Sequence, residues 1–136
     1  MARSRRNGGC LALAMIDVDD FKAINDPHGH LAGDRVLARL VRALRESMRS
    51  SDTLRRFGGE EFVLILPDTS IDDACQVVRR VLSEFSWTMP ELDRVVTFSA
   101  GVVAHDPLGS MNEAIRRADA AAYAAKRAGK NWIVPG

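Results

Sequence analysis

Apolar positions come in short blocks whose spacing changes along the chain, and each change marks an element. Leu11–Ile16 is a continuous apolar run of strand length, consistent with a buried strand, and it ends at Asp17-Val18-Asp19. Phe21–Asn25 reads as a helical turn stopped by Asp26-Pro27, because the residue before a proline avoids the helical region. Val36, Leu37, Leu40, Val41, Leu44 and Met48 recur at helical spacing, with Asp34 as the expected cap of that helix. Thr53–Phe57 and Phe62–Leu66 flank Gly58-Gly59 as a hairpin, ended by Pro67-Asp68. Two glycines that accept positive φ predict a two-residue turn there.

Ser70 starts a second helix, with Ile71, Ala74, Val77, Val78, Val81, Leu82 and Phe85 on one side. Val95–Val103 is rich in β-branched residues and reads as a strand. Ser110 and Glu113 form a capping-box pattern that opens a third helix, which Gly129 should close. Asn131–Val134 reads as a last short strand. The order β-α-α-β-β-α-β-α-β predicts an α+β fold, a central, mainly antiparallel sheet with flanking helices.

Composition narrows the class. A chain of 136 residues, 46% apolar and 27% charged, fits one globular domain over residues 1–136. A net charge of +1 gives no case for nucleic acid or a membrane surface as partner. Cys10 and Cys75 have no metal-like spacing and read as reduced thiols. Arg3, Arg5 and Arg6 precede an apolar run too short for a signal peptide, and no stretch reaches transmembrane length. The expected setting is cytoplasmic, alone or as the cytoplasmic part of a larger membrane-bound protein.

Three blocks could carry chemistry. Glu60 and Glu61 sit at the tip of the Gly-Gly hairpin, and Asp17 and Asp19 lie at the end of the first strand. Each pair alone would read as solvated acids or turn caps. Neighbouring strands could bring them together, and hard carboxylate oxygens at a strand edge suit Mg²⁺ on a nucleotide phosphate. A calcium-binding EF-hand loop fails, because the sixth position from Asp17 is Lys22 and the twelfth is His28. Asn25, His30 and Asp34 follow, each explicable alone as a turn, polar or cap residue. In the last helix, Lys126 and Lys130 could simply complement a helix C-terminus.

In register with one another, these blocks resemble the GGDEF family of diguanylate cyclases. Gly58–Phe62 matches the family's signature. Asp17–Asp34 matches its D-x-D-x-F-K-x-x-N-D-x-x-G-H-x-x-G-D segment, and the last helix its A-D-x-A-x-Y-x-A-K-x-x-G-x-N ending. The resemblance spans Leu11 to about Val134 and implies a palm-like core, as in nucleotidyl cyclases, with a ferredoxin-like topology. It implies that two GTP condense to cyclic di-GMP across a homodimer, with Mg²⁺, or Mn²⁺ as an alternative. Asp17 and Glu61 would bind metal by carboxylate and Val18 by its carbonyl. Glu60 would be the catalytic acid near the 3′-hydroxyl and a further metal contact. Asn25, His30 and Asp34 would hold the nucleotide, with Phe21, Lys22, Lys126 and Lys130 on phosphates. Arg49-Ser-Ser-Asp52 stands at the family's R-x-x-D position, the implied inhibitory site for cyclic di-GMP.

Two departures qualify the match. The family's opening D-x-L-T-G-L-x-N-R segment is absent, so residues 1–10 read as a remnant of an opening helix or a linker. An upstream sensory or dimerisation domain is the expected missing partner. Lys130 stands where arginine is common, which keeps the charge but loses the bidentate fork. The competing class is a non-catalytic module that senses GTP or cyclic di-GMP. Intact Asp17, Gly58, Gly59, Glu60 and Glu61 favour catalysis. An RNA-binding ferredoxin-like domain has little support, because charge is balanced and no aromatic stacking strand is evident.

Overall fold

The computed structural model describes residues 10–86, 88–89, 94–130 and 133–135. The expectation for the opening residues, and that for Asn131, lie outside the described residues.

Strands β1 (Leu11–Val18), β2 (Thr53–Arg56), β3 (Glu61–Pro67), β6 (Phe98–Ala104) and β7 (Ile133–Pro135) form one sheet in the order β2-β3-β1-β6-β7. All neighbours are antiparallel except β6 and β7, so the α+β, mainly antiparallel expectation holds. A separate ribbon pairs β4 (Thr88–Met89) with β5 (Arg94–Val95). The single strand expected over Val95–Val103 is therefore two, broken at Val96-Thr97.

Helices cover both faces. Ala12, Ala14, Ile16 and Val18 point to α1 (Phe21–His28), α2 (His30–Ser47) and α3 (Ile71–Phe85). Leu13 and Met15, the alternate residues of β1, point to α4 (Met111–Arg127). Burial on both faces explains why β1 reads as a continuous apolar run. Fully burying a side chain such as Leu13 or Ile16 stabilises by about 1.5–3 kcal/mol, so the strand that carries Asp17 is well anchored.

The packing of α4 on the sheet is unusually close at one point. A Cβ on Gly101 would lie 2.3 Å from the Ala118 carbonyl oxygen and 2.4 Å from the Ala122 nitrogen. Small residues along α4, including Ala114, Ala118 and Ala122, let it lie directly on β6. That contact fixes where the end of α4 projects.

Three local expectations need correction. Pro27 does not stop α1, which runs to His28. It sits in the last turn, where its missing N–H removes a single bond. The helix closes instead at Gly29, φ 79°, whose N–H donates to the Asn25 carbonyl at 2.6 Å. Asp34 is not a cap, because α2 begins at His30 with Gly29 before it. The hairpin is not a two-residue turn. Arg56 pairs with Phe62, the N–H groups of Phe57 and Gly58 both donate to the Glu61 carbonyl, and neither Gly58 nor Gly59 has positive φ. Ser70 and Ser110 do cap α3 and α4, accepting from the Asp73 and Glu113 N–H groups at 3.1 Å.

Candidate active site

The site forms where β1 and β3 end side by side. Asp17 and Glu61 are direct cross-strand partners, so their side chains leave the same face of the sheet. This is the face covered by α4, since Met15 and Val63 precede and follow them at two-residue spacing. The Val18 N–H donates to the Glu60 carbonyl at 3.2 Å and ties the hairpin tip to the end of β1. The two motifs expected to meet do meet.

The tip is shaped by its neighbours. The Arg56 guanidinium donates to the carbonyls of Gly58 at 3.2 Å and Gly59 at 2.5 Å, holding the loop in place of a tight turn. A Cβ on Gly58 would lie 2.6 Å from Glu61 Oε1, so the glycine lets that carboxylate fold over the loop. Gly59 has open space around its Cα, which leaves backbone accessible at the tip.

The last turn of α4 brings Lys126 over this end of the sheet. Its Nζ donates to the Val18 carbonyl at 3.1 Å and to Asp19 Oδ1 at 3.3 Å, and forms an ion pair with Asp17 Oδ1 at 3.1 Å. That contact favours the charged form of Asp17 without fully offsetting its burial. Lys130 Nζ pairs with Asp20 Oδ1 at 2.5 Å. Asp20 and Lys130 both have positive φ, 57° and 66°, so two left-handed residues face each other across this pair.

The acids repel one another. Burial pushes the Asp17 carboxyl above its ordinary value of 3.8, against the pull of Lys126, with Glu60 and Asp19 adding to the rise. Burial also raises Glu61, assisted by Asp17, by Asp119 and Glu60, and by a hydrogen bond with Asp119. Among the described residues no group of three His, Cys, Asp or Glu side chains forms a ready-made metal cage. The donors do fit a hard divalent cation in another way. They are oxygens, and both carboxyls are held in an anion-rich setting that a cation would relieve.

The expected nucleotide residues fall on the α1–α2 side. Asn25 Oδ1 is buried and accepts no hydrogen bond. It is packed under Gly33, where a Cβ would lie 2.1 Å from that oxygen. Asp34, the next residue, is exposed and borders a cavity of about 520 Å³ with Leu37, Val41, Leu54 and Phe62. Lys22 is exposed in the first turn of α1, whose leading N–H groups have no intrahelical acceptor. The side chain of His30 lies outside the described residues.

The GGDEF-domain diguanylate cyclase family model matches residues 1–132. The chain belongs to this GGDEF family. Diguanylate cyclase DgcP of Pseudomonas aeruginosa is 43% identical over 98% of this chain and 20% of that protein. The curated relatives are longer, and the chain spans 20% to 34% of their length. Among solved structures, the active GGEEF domain of a diguanylate cyclase from Vibrio cholerae superposes with a TM-score of 0.88. It is 32% identical, covering 98% of this chain and 87% of that one. The GGDEF domain of DgcB from Caulobacter crescentus, solved with c-di-GMP, gives 0.86 at 29% identity, covering 98% and 82%.

A second polar cluster lies at the far end of β3 in this GGDEF fold. The Arg49 guanidinium donates to the Pro67 carbonyl at 2.6 Å, to Thr69 Oγ1 at 2.8 Å and to Asp52 Oδ1 at 3.2 Å. Asp52 also accepts from the Arg49 N–H at 2.8 Å. Arg49, Asp52, Thr69 and Arg80 border a cavity of about 200 Å³. Arg80, Arg56 and the Asp19 partners Thr97 and Ser99 were missed by sequence reasoning. Only Thr97 and Ser99 carried a signal, as hydroxyls beside and within an apolar strand. Ser99 is fully buried, which for a polar side chain requires a partner.

Proposed function

We propose that this chain is the catalytic domain of a diguanylate cyclase, joining two GTP into cyclic di-GMP with release of two pyrophosphates. The observation that supports it most is the pairing of Asp17 with Glu61 across β1 and β3, beside the hairpin tip and under Lys126. In each half-reaction the 3′-oxygen of one GTP forms a bond to the α-phosphorus of the other, and the bond to pyrophosphate breaks. Two copies of the domain, each loaded with one GTP, would face each other, and an upstream domain would supply proximity as effective concentration.

Asp17, Glu61 and the Val18 carbonyl would hold Mg²⁺, or Mn²⁺ in its place, with Glu60 as a further contact. When bound, the ion would lower the alcohol's pKa and neutralise phosphate charge. Glu60 takes the 3′-hydroxyl proton as general base. Lys22, Lys126 and Lys130 offset the charge of the triphosphate, and the exposed N–H groups at the start of α1, from Phe21 onward, receive phosphate oxygens.

The base is read on the other side of the site. Asn25 Oδ1 is an acceptor awaiting a donor, and Asp34 is an exposed carboxylate one residue from its contact at Gly33. Guanine offers ring N–H and amino donors on one edge, a pattern adenine lacks. Arg49 and Asp52 would bind the guanines of cyclic di-GMP as an inhibitory site; the related GGDEF domain of DgcB was solved in complex with c-di-GMP.

The test is incubation of purified protein with GTP and Mg²⁺, read by chromatography. Cyclic di-GMP formation, with specific activity rising as protein concentration rises, is expected. GTP binding without product would point instead to a sensing module.

A further inference from the structure

We propose that Lys126 is a built-in counter-ion of the metal site, whose ammonium occupies the cation position and is exchanged when a divalent ion enters. This rests on the reading of Asp17, Val18 and Glu61 as metal ligands, but it concerns a different group. One nitrogen, Lys126 Nζ, lies 3.1 Å from Asp17 Oδ1, 3.1 Å from the Val18 carbonyl and 3.3 Å from Asp19 Oδ1. Two of those three oxygens are the ones assigned to the metal. A divalent ion and an ammonium cannot both hold them, because two cations drawn to the same oxygens in a partly buried site repel strongly. Metal entry and lysine departure are therefore one event.

Asp19 provides the pivot. Its carboxylate accepts from Thr97 Oγ1 at 2.6 Å and from Ser99 Oγ at 2.7 Å, and its N–H donates to the Thr97 carbonyl at 2.9 Å. The residue is 3% exposed, so it is fixed from β6 and has no freedom to follow a metal. Lys126 can release Asp17 and Val18 while keeping Asp19. Its long stem, rooted in the last turn of α4 beside Lys130, then carries the charge toward a triphosphate.

The consequence is coupling. Without nucleotide, the incoming ion displaces an ammonium that gains no new partner. With nucleotide, the phosphates receive it. Metal and triphosphate thus bind cooperatively through one side chain, and each raises the other's affinity by the same factor. A shortage of protein ligands would also weaken metal binding in the absence of nucleotide. That cause alone predicts no gain when the lysine is removed.

The experiment is Mn²⁺ titration of nucleotide-free protein, read by electron paramagnetic resonance. Lys126→Met should bind Mn²⁺ about tenfold more tightly or better, because a competing unit charge is gone. Adding Asp17→Asn should remove that binding. Equal or weaker Mn²⁺ affinity in Lys126→Met would overturn the exchange. If Asp17→Asn leaves Mn²⁺ binding intact, the metal reading itself fails and takes this inference with it. Should Lys126→Met not fold, ¹⁵N spectra of the lysine ammonium groups in the wild type decide, with Lys126→Arg for assignment. The Lys126 signal should move when Mg²⁺ and a non-hydrolysable GTP analogue are added together, and an unmoved signal overturns the proposal.

Discussion

At the Pro67 end of β3 the Arg49 guanidinium meets three acceptors and Asp52 takes a second bond from the backbone. At the Glu61 end, roughly 20 Å away along a seven-residue strand, Asn25 Oδ1 accepts no hydrogen bond and Asp17 Oδ1 has only the Lys126 ammonium as partner. Two carboxyls there, Asp17 and Glu61, are pushed above their ordinary values. In the first cluster the Arg49 guanidinium and the Asp52 carboxylate are already bonded, so a ligand must compete with bonds the protein already makes. The second is held in a mismatched state by the core around β1, and a ligand that supplies a cation and donors recovers what the mismatch costs. The difference separates a site that is expected to regulate from one that is expected to react.

The comparison breaks most visibly at Glu60. Glu60→Gln keeps the shape of the tip and removes the base. Turnover should fall about 10²–10⁴-fold, the usual worth of a general base. Nucleotide binding, measured by calorimetry, should persist, because the backbone bond from Val18 to Glu60 does not involve the side chain. Near wild-type production of cyclic di-GMP would exclude Glu60 as proton acceptor.

Gly33→Ala attacks the same end through packing. The added Cβ would stand 2.1 Å from Asn25 Oδ1 and 2.8 Å from Phe21 Cζ, so both must move. Alanine favours a helix over glycine by about 1 kcal/mol, but overpacking costs about 1–3 kcal/mol, so a net loss of stability is expected. Displacing the acceptor should weaken GTP binding about tenfold to a hundredfold and narrow its preference over ATP, since buried groups are then left poorly paired. Unchanged GTP and ATP affinities by calorimetry would remove Asn25 from base recognition.

The two clusters were not equally legible in the sequence. The motif at the Glu61 end could be placed because strand alternation puts Asp17 and Glu61 on one face once β1 and β3 pair. The hairpin geometry could not, since two glycines suggest positive φ, whereas Arg56 and the Phe57 and Gly58 N–H groups hold a wider loop. Asp34 looked like a cap because it precedes an apolar stripe. The true start of α2 is set by Gly29, seven residues before Val36, the first position of that stripe. The anchors Thr97 and Ser99 lie 78 and 80 residues from Asp19, the group they meet, and spacing carries no information about such contacts. The Arg49–Asp52 pair was legible only through the resemblance to the family's R-x-x-D position; the structure closes it as a turn, with the Asp52 N–H on the Arg49 carbonyl at 3.0 Å.

Arg49→Ala tests the complete cluster. Its side chain is 48% exposed, while that of Asp52 is 2% exposed. Removal strips several hydrogen bonds but leaves Asp52 one backbone donor. A stability loss of about 1–2 kcal/mol is expected, below that of a fully buried pair. Inhibition by cyclic di-GMP should be relieved without a rise in activity when the product is absent. Unchanged inhibition curves would make the cluster purely structural.

Asp17→Asn tests the mismatched cluster by the smallest effect and the sharpest sign. Burial raises the Asp17 carboxyl in the folded protein, and the Lys126 ammonium only partly opposes this. The ionised form is therefore disfavoured by folding, and that penalty is full above the folded value. It fades as pH falls through the folded value and is gone below 3.8, where the carboxyl is neutral in both states. Asparagine carries no such penalty, and Lys126 keeps Asp19 and the Val18 carbonyl as partners. In metal-free buffer the variant should melt above the wild type at neutral pH, by no more than about 4 °C, the scale of a 1 kcal/mol change in a domain of this size. The gap should close on acidification, while cyclic di-GMP synthesis is lost at every pH. A variant less stable than the wild type at neutral pH would mean that the Lys126 pair outweighs burial, and the site would then resemble the Arg49 cluster rather than oppose it.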